Sequence, residues 1–310
     1  MSDATIGIIG LGKMGIGMAR NLLDGGYEVC GFDIDPMPRG ELDETGGRPL
    51  DSAPAVAAAS DLFITSLPTP EIVESVLVGD DGAFAAAGDG TIHLEMSTID
   101  PETMLRVGEA AAETGVRSLG SPVSGGPENC IDGTLTIIVG GDRASFEAEL
   151  PGAVLDRLGG KVYFAGGIDA GHTVKLVNNA ISMSNLLIAM EAFSLGVARD
   201  VDPAVLFEVL TNAGAGSNQL EKRGPRVLNR NFEPGFTVDF GRKDLRLALE
   251  TADGMDQPML VTNLVHDLYT MTSNDGHGDE DAVAVAKLYE ALRDVRIEAD
   301  EPISEFFEGY

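Results

Sequence analysis

The chain of 310 residues carries 50 Asp and Glu against 21 Lys and Arg, a formal net charge of −29, and 44% of its residues are hydrophobic. That apolar content is enough for a core and excludes the class of charged disordered proteins. The negative charge also argues against nucleic acids and anionic membranes as partners, because both are repelled by an acidic surface.

The first half of the sequence alternates short apolar runs with segments of helical length. This alternation predicts a mostly parallel sheet with right-handed crossovers and helices on both faces, which is the architecture of a doubly wound α/β domain. The predicted strands cover residues 5–9, 28–33, 61–67, 91–96, 116–119, 135–139 and 162–165.

After Gly171 the pattern becomes helical, beginning with a long proline-free segment over 172–199. Asp202 and Pro203 then have the form of an N-cap followed by a proline in the first helical position. We therefore predict an all-helical second domain and a small-molecule cleft between the two domains. The predicted parts are a doubly wound domain over 1–168, an interdomain helix over 169–200, a helical domain over 201–292 and a weakly ordered acidic tail over 293–310.

The segment Gly10-Leu11-Gly12-Lys13-Met14-Gly15 follows the first predicted strand and opens an amphipathic helix. In a Rossmann-type domain the first glycine makes a tight turn, the second admits a pyrophosphate, and the third lets the helix pack close to the strand. The free N–H groups of the helix N-terminus then bind the anion. The pattern and its context predict a dinucleotide site, to which Leu11 and Met14 also belong.

The second predicted strand ends at Asp33, eighteen residues beyond Gly15. An acidic side chain there accepts hydrogen bonds from the adenosine ribose and repels a 2′-phosphate. The next basic residue is Arg39. We therefore expect NAD as the cofactor, with NADP possible; the alternative is that Asp33 only caps a turn.

Lys175, Asn178, Asn179 and Ser182 are spaced by three, four and seven positions, so they share one face of the long predicted helix. The face continues with apolar residues, which suits a partly buried cleft better than an exposed surface. Burial lowers the pKa of a lysine and makes its neutral amine available as a base.

The sequence resembles the β-hydroxyacid dehydrogenases, the family of 3-hydroxyisobutyrate dehydrogenase and tartronate semialdehyde reductase. Four motifs stand in the order that the family has. They are GLGKMGIGMARNLL from Gly10, SPVSGG from Ser121, GHTVKLVNN from Gly171 and KDL from Lys243, and the resemblance extends from residue 3 to about residue 292.

The resemblance implies an NAD(P)-dependent oxidoreductase that interconverts a small β-hydroxyacid and its semialdehyde or keto acid. Lys175 matches the family's catalytic acid/base, which exchanges the proton of the substrate hydroxyl while hydride passes to or from the nicotinamide. Asn179 would orient the lysine or the substrate, and Asn178 would bind substrate or take the role of Asn179.

Further positions would bind the substrate or the cofactor. Ser124, Gly125 and Gly126 supply a hydroxyl and approachable N–H groups for the substrate carboxylate, although such a segment standing alone would be an ordinary loop. By resemblance, cofactor contacts are also expected from the ends of two predicted strands and from the helical domain. These contacts are Leu67, Pro68, Thr98 (with Ser97) and Lys243.

Several alternatives stay open. The first expectation is a 3-hydroxyisobutyrate dehydrogenase-like enzyme, followed by tartronate semialdehyde (2-hydroxy-3-oxopropionate) reductase. A 6-phosphogluconate dehydrogenase-like enzyme needs a basic phosphate clamp, for which Arg223, Arg226 and Arg230 are candidates. An imine reductase is disfavoured by Lys175, and a non-catalytic dinucleotide-binding module is disfavoured further. His172 and His277 are expected to be structural or exposed.

The composition also suggests a location and an assembly. Cys30 and Cys130 predict no disulfide framework, no Cys/His cluster has metal-ligand spacing, and the apolar stretch over 181–198 is interrupted by Asn185 and Glu191. We therefore expect a cytoplasmic protein without a metal. Six Lys against fifteen Arg on an acidic background predict a salt-rich, halophilic setting. By resemblance, the enzyme forms a homodimer or homotetramer.

Overall fold

A computed structural model describes residues 4–304. The chain divides into two compact units, one ending at Leu176 and the other beginning at Val177. The division falls within the region predicted as an interdomain helix.

The first unit contains one mostly parallel sheet, and in its described part the sheet has nine strands. They are β1 (Thr5–Ile9), β2 (Glu28–Phe32), β3 (Arg48–Pro49), β4 (Leu62–Thr65), β5 (Ile92–Glu95), β6 (Arg117–Gly120), β7 (Val123–Ser124), β8 (Leu135–Gly140) and β9 (Gly159–Gly166). The strand order is β3-β2-β1-β4-β5-β6-β8-β7, with β9 paired to β8. The pairs from β3 to β6 are parallel, β8 runs antiparallel to β6 and β7, and β9 is parallel to β8.

Nine helices connect the described strands. They are α1 (Lys13–Asp24), α2 (Pro36–Glu44), α3 (Ala53–Ala58), α4 (Pro70–Leu77), α5 (Ala83–Ala86), α6 (Pro101–Glu113), α7 (Pro127–Asp132), α8 (Arg143–Phe146) and α9 (Glu149–Leu158). Several begin as their sequences dictate. Asp35, Thr69 and Asp100 accept a backbone N–H at the N-cap of α2, α4 and α6, and each is followed by proline.

The predicted fold class, a doubly wound mostly parallel sheet followed by helices, is confirmed. Each predicted strand is present within a few residues of its expected bounds, and β1 matches its prediction residue for residue. β3 and β7 were not predicted, since two residues are too few to show an alternating pattern.

The longest helix is α10 (Ala170–Val197), which has the length and composition to cross a membrane. The sequence predicted a helix over 169–200 but no membrane-spanning segment. One face of it nevertheless belongs to the core of the second unit, where Met183, Leu186, Met190 and Phe193 are buried. This packing is that of a core helix of a folded domain.

The remaining described helices form the second unit, as predicted. They are α11 (Pro203–Thr211), α12 (Asn218–Leu228), α13 (Val238–Asp253), α14 (Leu260–Thr272) and α15 (Val285–Arg293), with short helical turns at Ser273–His277 and Ala282–Ala284. Asp281, at the start of the second of these turns, is fully buried. Its carboxylate pairs with Arg223 and Arg226.

The described part of the predicted acidic tail, residues 293–304, packs on this unit. Ile297 is fully buried in its core, and the side chain of Asn229 makes two hydrogen bonds to the backbone of Ile303, at 2.7 and 2.8 Å. These residues therefore extend the helical core. Residues 305–310 lie outside the described part of the chain.

Candidate functional site

The glycine-rich turn lies between the end of β1 and the start of α1. Gly10 has a φ of +93°, which favours glycine, and its N–H donates to the carbonyl of Phe32 at 2.9 Å. A Cβ at Gly15 would overlap the carbonyl oxygen of Gly10, so α1 can begin this close to the strand only with glycine there. A Cβ at Gly12, in contrast, would meet no atom of the described residues within 4 Å. The open side of the turn leaves room for a ligand.

The first turn of α1 suits an anion. Its N-cap is Gly12, which has no side chain to accept the free N–H groups of the helix. Those groups and the positive end of the helix dipole favour a negatively charged ligand. The turn therefore fits the pyrophosphate of a dinucleotide.

Asp33 lies beside this turn, just after β2. Its Oδ2 accepts the N–H of Leu11 at 2.7 Å and its Oδ1 accepts the N–H of Asp35 at 2.9 Å. The side chain thus makes the turn-capping bond that was the alternative to ribose binding. It also braces the glycine-rich turn, and a carboxylate oxygen can accept more than one hydrogen bond. The next basic residue along the chain is Arg39. Its guanidinium lies 5.8 Å from the centre of the ring of Phe32, the residue that precedes Asp33.

Two further strand ends meet next to Gly10. The N–H of Leu67, after β4, donates to Oγ of Ser97, after β5, at 2.8 Å. A Cβ at Gly10 would lie 3.0 Å from Cδ2 of Leu67. The structure thus brings together three segments that the sequence predicted to bind the cofactor. Pro68 and Thr98 follow in the same two segments.

Sequence reasoning missed a carboxylate beneath these segments. Glu95 ends β5, is fully buried, and accepts the N–H of Ser97 at 2.7 Å and the hydroxyl of Thr65 at 2.5 Å. Burial raises its pKa to about 7. The sequence did contain a signal for this residue. His93 and Glu95 lie two positions apart in a strand whose other residues are apolar, so both side chains point to the same face of the sheet.

The loop after β7 contains the predicted carboxylate-binding residues. Gly125 has a φ of +136°, and the N–H of Gly126 donates to Oδ1 of Asn129 at 2.9 Å at the start of α7. The N–H of Gly126 is therefore already engaged, which corrects the expectation that it is offered to a substrate. Ser124 is partly exposed. α7 packs on α1, where the thiol of Cys130 contacts the sulfur of Met14 at 3.6 Å.

Lys175 is buried in α10, with 8% of its surface exposed. Asn179 lies one turn further along the same helix and is also buried, whereas the neighbouring Asn178 is exposed. Nδ2 of Asn178 donates to Oδ1 of Asn179 at 3.0 Å. The helix face predicted from the spacing of these residues is therefore buried at Lys175 and Asn179 and exposed at Asn178.

Asp244 is a second residue that sequence reasoning did not assign. Its Oδ2 accepts Nδ2 of Asn179 at 2.7 Å, and its Oδ1 lies 3.0 Å from Nζ of Lys243. The carboxylate is almost fully buried. It fixes the amide of Asn179 and joins it to Lys243. The KDL motif contained this signal, but only its lysine was assigned a role.

The remaining candidates have structural partners or are enclosed. His172 is fully buried, and neither ring nitrogen has a hydrogen-bond partner among residues 4–304. Burial lowers its pKa to about 3, so the imidazole is neutral. His277 pairs with Glu280 at 3.2 Å. Arg223 and Arg226 pair with Asp281, and Arg230 pairs with Glu290. The three arginines considered as a phosphate-binding site thus form ion pairs within the second unit.

Two family models cover almost the whole chain. The model described as the NAD binding domain of 6-phosphogluconate dehydrogenase matches residues 5–167. The model described as the NAD-binding region of NADP-dependent 3-hydroxyisobutyrate dehydrogenase matches residues 169–289.

Similar proteins match over nearly their full length. The 2-(hydroxymethyl)glutarate dehydrogenase of Eubacterium barkeri is 36% identical, over 94% of this chain and 97% of its own. The 3-hydroxyisobutyrate dehydrogenase of Pseudomonas aeruginosa is 35% identical, over 92% and 98%. The solved structure of Mycobacterium tuberculosis 3-hydroxyisobutyrate dehydrogenase with L-serine is 31% identical, with a TM-score of 0.85 over 93% of this chain and 99% of that one.

Proposed function

Because this chain belongs to the β-hydroxyacid dehydrogenase family and is an NAD(P)-dependent oxidoreductase, we propose that it interconverts a small β-hydroxyacid and its semialdehyde or keto acid, with Lys175 as the acid/base. A 3-hydroxyisobutyrate-like compound is the proposed substrate. The observation that carries the proposal is a buried lysine one helical turn before an asparagine whose amide is held by a buried carboxylate.

When bound, the nicotinamide accepts or donates the hydride. The chain provides the proton chemistry: Nζ of Lys175 takes the proton of the substrate hydroxyl during oxidation and returns it during reduction. Asn179 orients the reacting groups, and Asp244 keeps its amide in one rotamer through the 2.7 Å hydrogen bond. Asn178, which donates to Asn179 and is exposed, is the neighbouring substrate contact.

We propose that Ser124 and Gly125 bind the carboxylate of the substrate. A partly exposed hydroxyl and a glycine backbone in the left-handed region support this role. The contribution of Gly126 is indirect, because its N–H binds Asn129 and so fixes the loop.

NAD is the proposed preferred cofactor over NADP. Asp33 places a negative charge next to the glycine-rich turn, where it accepts ribose hydroxyls and repels a 2′-phosphate. Leu67, Pro68, Thr98 and Lys243 complete the proposed cofactor contacts, together with Leu11 and Met14.

The assignment of Lys175 is tested by Lys175→Ala. We expect kcat to fall by about 100- to 10,000-fold, the usual contribution of a general acid/base, while NAD binding measured by calorimetry stays intact. Added primary amines should restore part of the activity by replacing the lost group. Lys175→Arg keeps the charge but cannot give up its proton at neutral pH, so it should be equally inactive.

The matched control is Lys161→Ala, because Lys161 is an exposed lysine on β9. Full activity of Lys175→Ala would disprove the assignment. A screen of 3-hydroxyisobutyrate, 2-hydroxy-3-oxopropionate, threonate and 6-phosphogluconate with both cofactors tests the substrate. 2-Hydroxy-3-oxopropionate is the second candidate. 6-Phosphogluconate is disfavoured, since Arg223, Arg226 and Arg230 are paired with carboxylates.

A homodimer or homotetramer is also proposed. The second-unit part of α10 carries an exposed apolar stripe at helical spacing, formed by Val177, Ile181, Ile188 and Leu195, each more than half exposed. A monomeric soluble protein seldom leaves such a row uncovered. Ile181→Glu with Ile188→Glu should lower the mass measured by light scattering, whereas Leu105→Glu on α6 should not. An unchanged mass for the double variant would exclude the stripe as the interface.

The cytoplasm is the proposed location. Cys30 and Cys130 are free and buried, in keeping with a reducing compartment. Nucleic acids and membranes are not proposed as partners, given the net charge of −29.

A further inference from the structure

A chain of polar side chains crosses three neighbouring strands of the first unit. It begins at Ser118 on β6, whose Oγ lies 2.9 Å from Nδ1 of His93 on β5. Nε2 of His93 lies 2.8 Å from Oγ1 of Thr65 on β4, which in turn lies 2.5 Å from Oε2 of Glu95. His93, Thr65 and Glu95 are fully buried, whereas Ser118 is partly exposed.

The hydrogen bonds of this row of side chains can form in either of two directions. When Glu95 is ionised, Ser118 donates to His93, His93 donates from Nε2 to Thr65, and Thr65 donates to the carboxylate. When Glu95 is protonated, each of these hydrogen bonds reverses and the same atoms stay paired. A proton can therefore enter from the partly exposed serine and reach the carboxylate without leaving a buried group unpaired.

The other oxygen of Glu95 faces the cofactor-binding segments. Oε1 accepts the N–H of Ser97 at 2.7 Å, and Oγ of Ser97 accepts the N–H of Leu67 at 2.8 Å. Leu67 lies against Gly10, the first glycine of the dinucleotide turn. One carboxylate is thus connected, through two hydrogen bonds, to the loops after β4 and β5.

Among residues 4–304, the basic side chain within 4.0 Å of this carboxylate is that of His93. His93 lies on the same strand as Glu95, and burial lowers its pKa to about 3, so it is neutral. Burial also lowers the pKa of His172 of α10 to about 3, so this second imidazole, which contributes to the lowered pKa of His93, is neutral too. Thr65 and Ser97 contribute only neutral hydrogen bonds, which lower the pKa of Glu95 less than burial raises it. The result is a pKa of about 7, so the charge of Glu95 changes in the physiological range.

We propose that Glu95 is a positioning residue of the dinucleotide site, whose carboxylate fixes the loops after β4 and β5 and whose ionisation sets how tightly the cofactor binds. An ionised carboxylate accepts stronger hydrogen bonds than a neutral carboxyl group, so it holds Ser97 and Leu67 more firmly. Cofactor affinity is therefore higher above neutral pH than below it. The inference rests on the placement of these two loops in the proposed cofactor site.

The test measures the dissociation constant of NAD for the intact enzyme by calorimetry between pH 6 and pH 8. For the wild type we expect affinity to rise with pH by about tenfold, which corresponds to one pKa unit of coupling. Glu95→Gln lacks the titrating group, so its affinity should be lower than that of the wild type at pH 8 and should not vary with pH. Glu113→Gln removes an exposed carboxylate from α6 and should behave as the wild type.

A second pair of variants tests the hydrogen-bonded chain without changing Glu95. Thr65→Val removes the hydroxyl that stabilises the carboxylate, so the pH at which affinity changes should rise. Thr65→Ser keeps the hydroxyl and should restore the wild-type profile. A purely structural role of Thr65 would weaken binding without moving that pH.

The proposal is overturned if Glu95→Gln keeps the wild-type affinity and pH profile, or if Thr65→Val has the wild-type profile. In either case a wild type that still binds NAD and oxidises a hydroxyacid leaves the proposed function standing. A wild type that binds neither NAD nor NADP would overturn both proposals.

Discussion

Oδ2 of Asp33 accepts the N–H of Leu11 at 2.7 Å, so the acidic residue after β2 is bonded directly to the glycine-rich turn after β1. Asp33 consequently has two possible effects on the cofactor, one through its charge and one through the shape of the turn. Substitution by Asn separates them, because Asn keeps one acceptor oxygen for Leu11 and loses the charge, together with the bond from Asp35.

For Asp33→Asn we expect the ratio of kcat/KM for NAD to that for NADP to fall by about tenfold or more, since hydrogen bonds to a charged acceptor contribute about 1.5 to 3 kcal/mol. Asp33→Gly also removes the bond to Leu11 and should weaken both cofactors. Asp35→Asn changes the exposed N-cap of α2 and is the control. An unchanged ratio in Asp33→Asn would refute the assignment.

Asp244 holds the amide of Asn179 and lies 3.0 Å from Nζ of Lys243. We expect Asp244→Asn to lower the free energy of unfolding by about 3 kcal/mol, because it removes the charge of a buried carboxylate that pairs with the largely buried Lys243. The same variant should lower kcat by disturbing Asn179. Urea unfolding and steady-state kinetics measure the two effects.

A matched control lies on the same helix. Arg246 and Glu250 form an exposed pair one turn apart, and Glu250→Gln should change the free energy of unfolding by less than about 1 kcal/mol. If Asp244→Asn were no more harmful than Glu250→Gln, the buried carboxylate would have no special role.

His172 should make the protein sensitive to acid. Its folded pKa, about 3, lies below the ordinary value of 6.5, so the unfolded chain binds a proton more readily between these values. The stability associated with the neutral imidazole is therefore present above pH 6.5 and is lost as the pH falls. His93 acts in the same direction, whereas the raised pKa of Glu95 acts in the opposite one.

We expect His172→Leu to reduce the loss of unfolding free energy between pH 7 and pH 5 by about 2 kcal/mol relative to the wild type. Leucine also removes two ring nitrogens that have no partner among residues 4–304. Chemical unfolding at both pH values provides the measurement, with His266→Gln, a partly exposed imidazole in α14, as control. An identical pH dependence in wild type and His172→Leu would show that His172 does not stay neutral.

The net charge of −29 predicts that salt stabilises the fold. Repulsion between acidic side chains is screened as ionic strength rises, since the screening length falls from about 10 Å at 0.1 M to about 3 Å at 1 M. The melting temperature should therefore rise from low to molar KCl. Sucrose, which carries no charge, is the control for general solute effects. The absence of any gain in KCl would contradict the halophilic interpretation.

The residues show why part of this site could be predicted and part could not. Gly10, Gly12 and Gly15 have a fixed spacing that follows from the turn they form, and the helical period gives the common face of Lys175 and Asn179. Glu95 was missed because its role depends on which strands become neighbours. Its partner Thr65 is thirty residues away, and only the register of β4 against β5 brings them together.

Other features were readable in principle. Gly126 is followed by Pro127 and, three positions on, by Asn129, a pattern that marks a helix start whose side chain returns to the backbone. Reading it would have shown that the N–H of Gly126 is engaged. The pairing of Asp281 with Arg223 and Arg226 spans more than fifty residues and had no comparable local signal.

The fold of the second unit depends on Asp281, which lies in the last third of that unit. Besides the two arginines of α12, its carboxylate accepts the N–H groups of Gly235, Phe236 and Val283. A chain that ends at α14 has Arg223, Arg226 and the backbone N–H groups of Gly235 and Phe236 but lacks the carboxylate that accepts their hydrogen bonds. The second unit therefore cannot complete its core before Asp281 is available, and a premature stop after α14 would remove the carboxylate that pairs with Arg223 and Arg226.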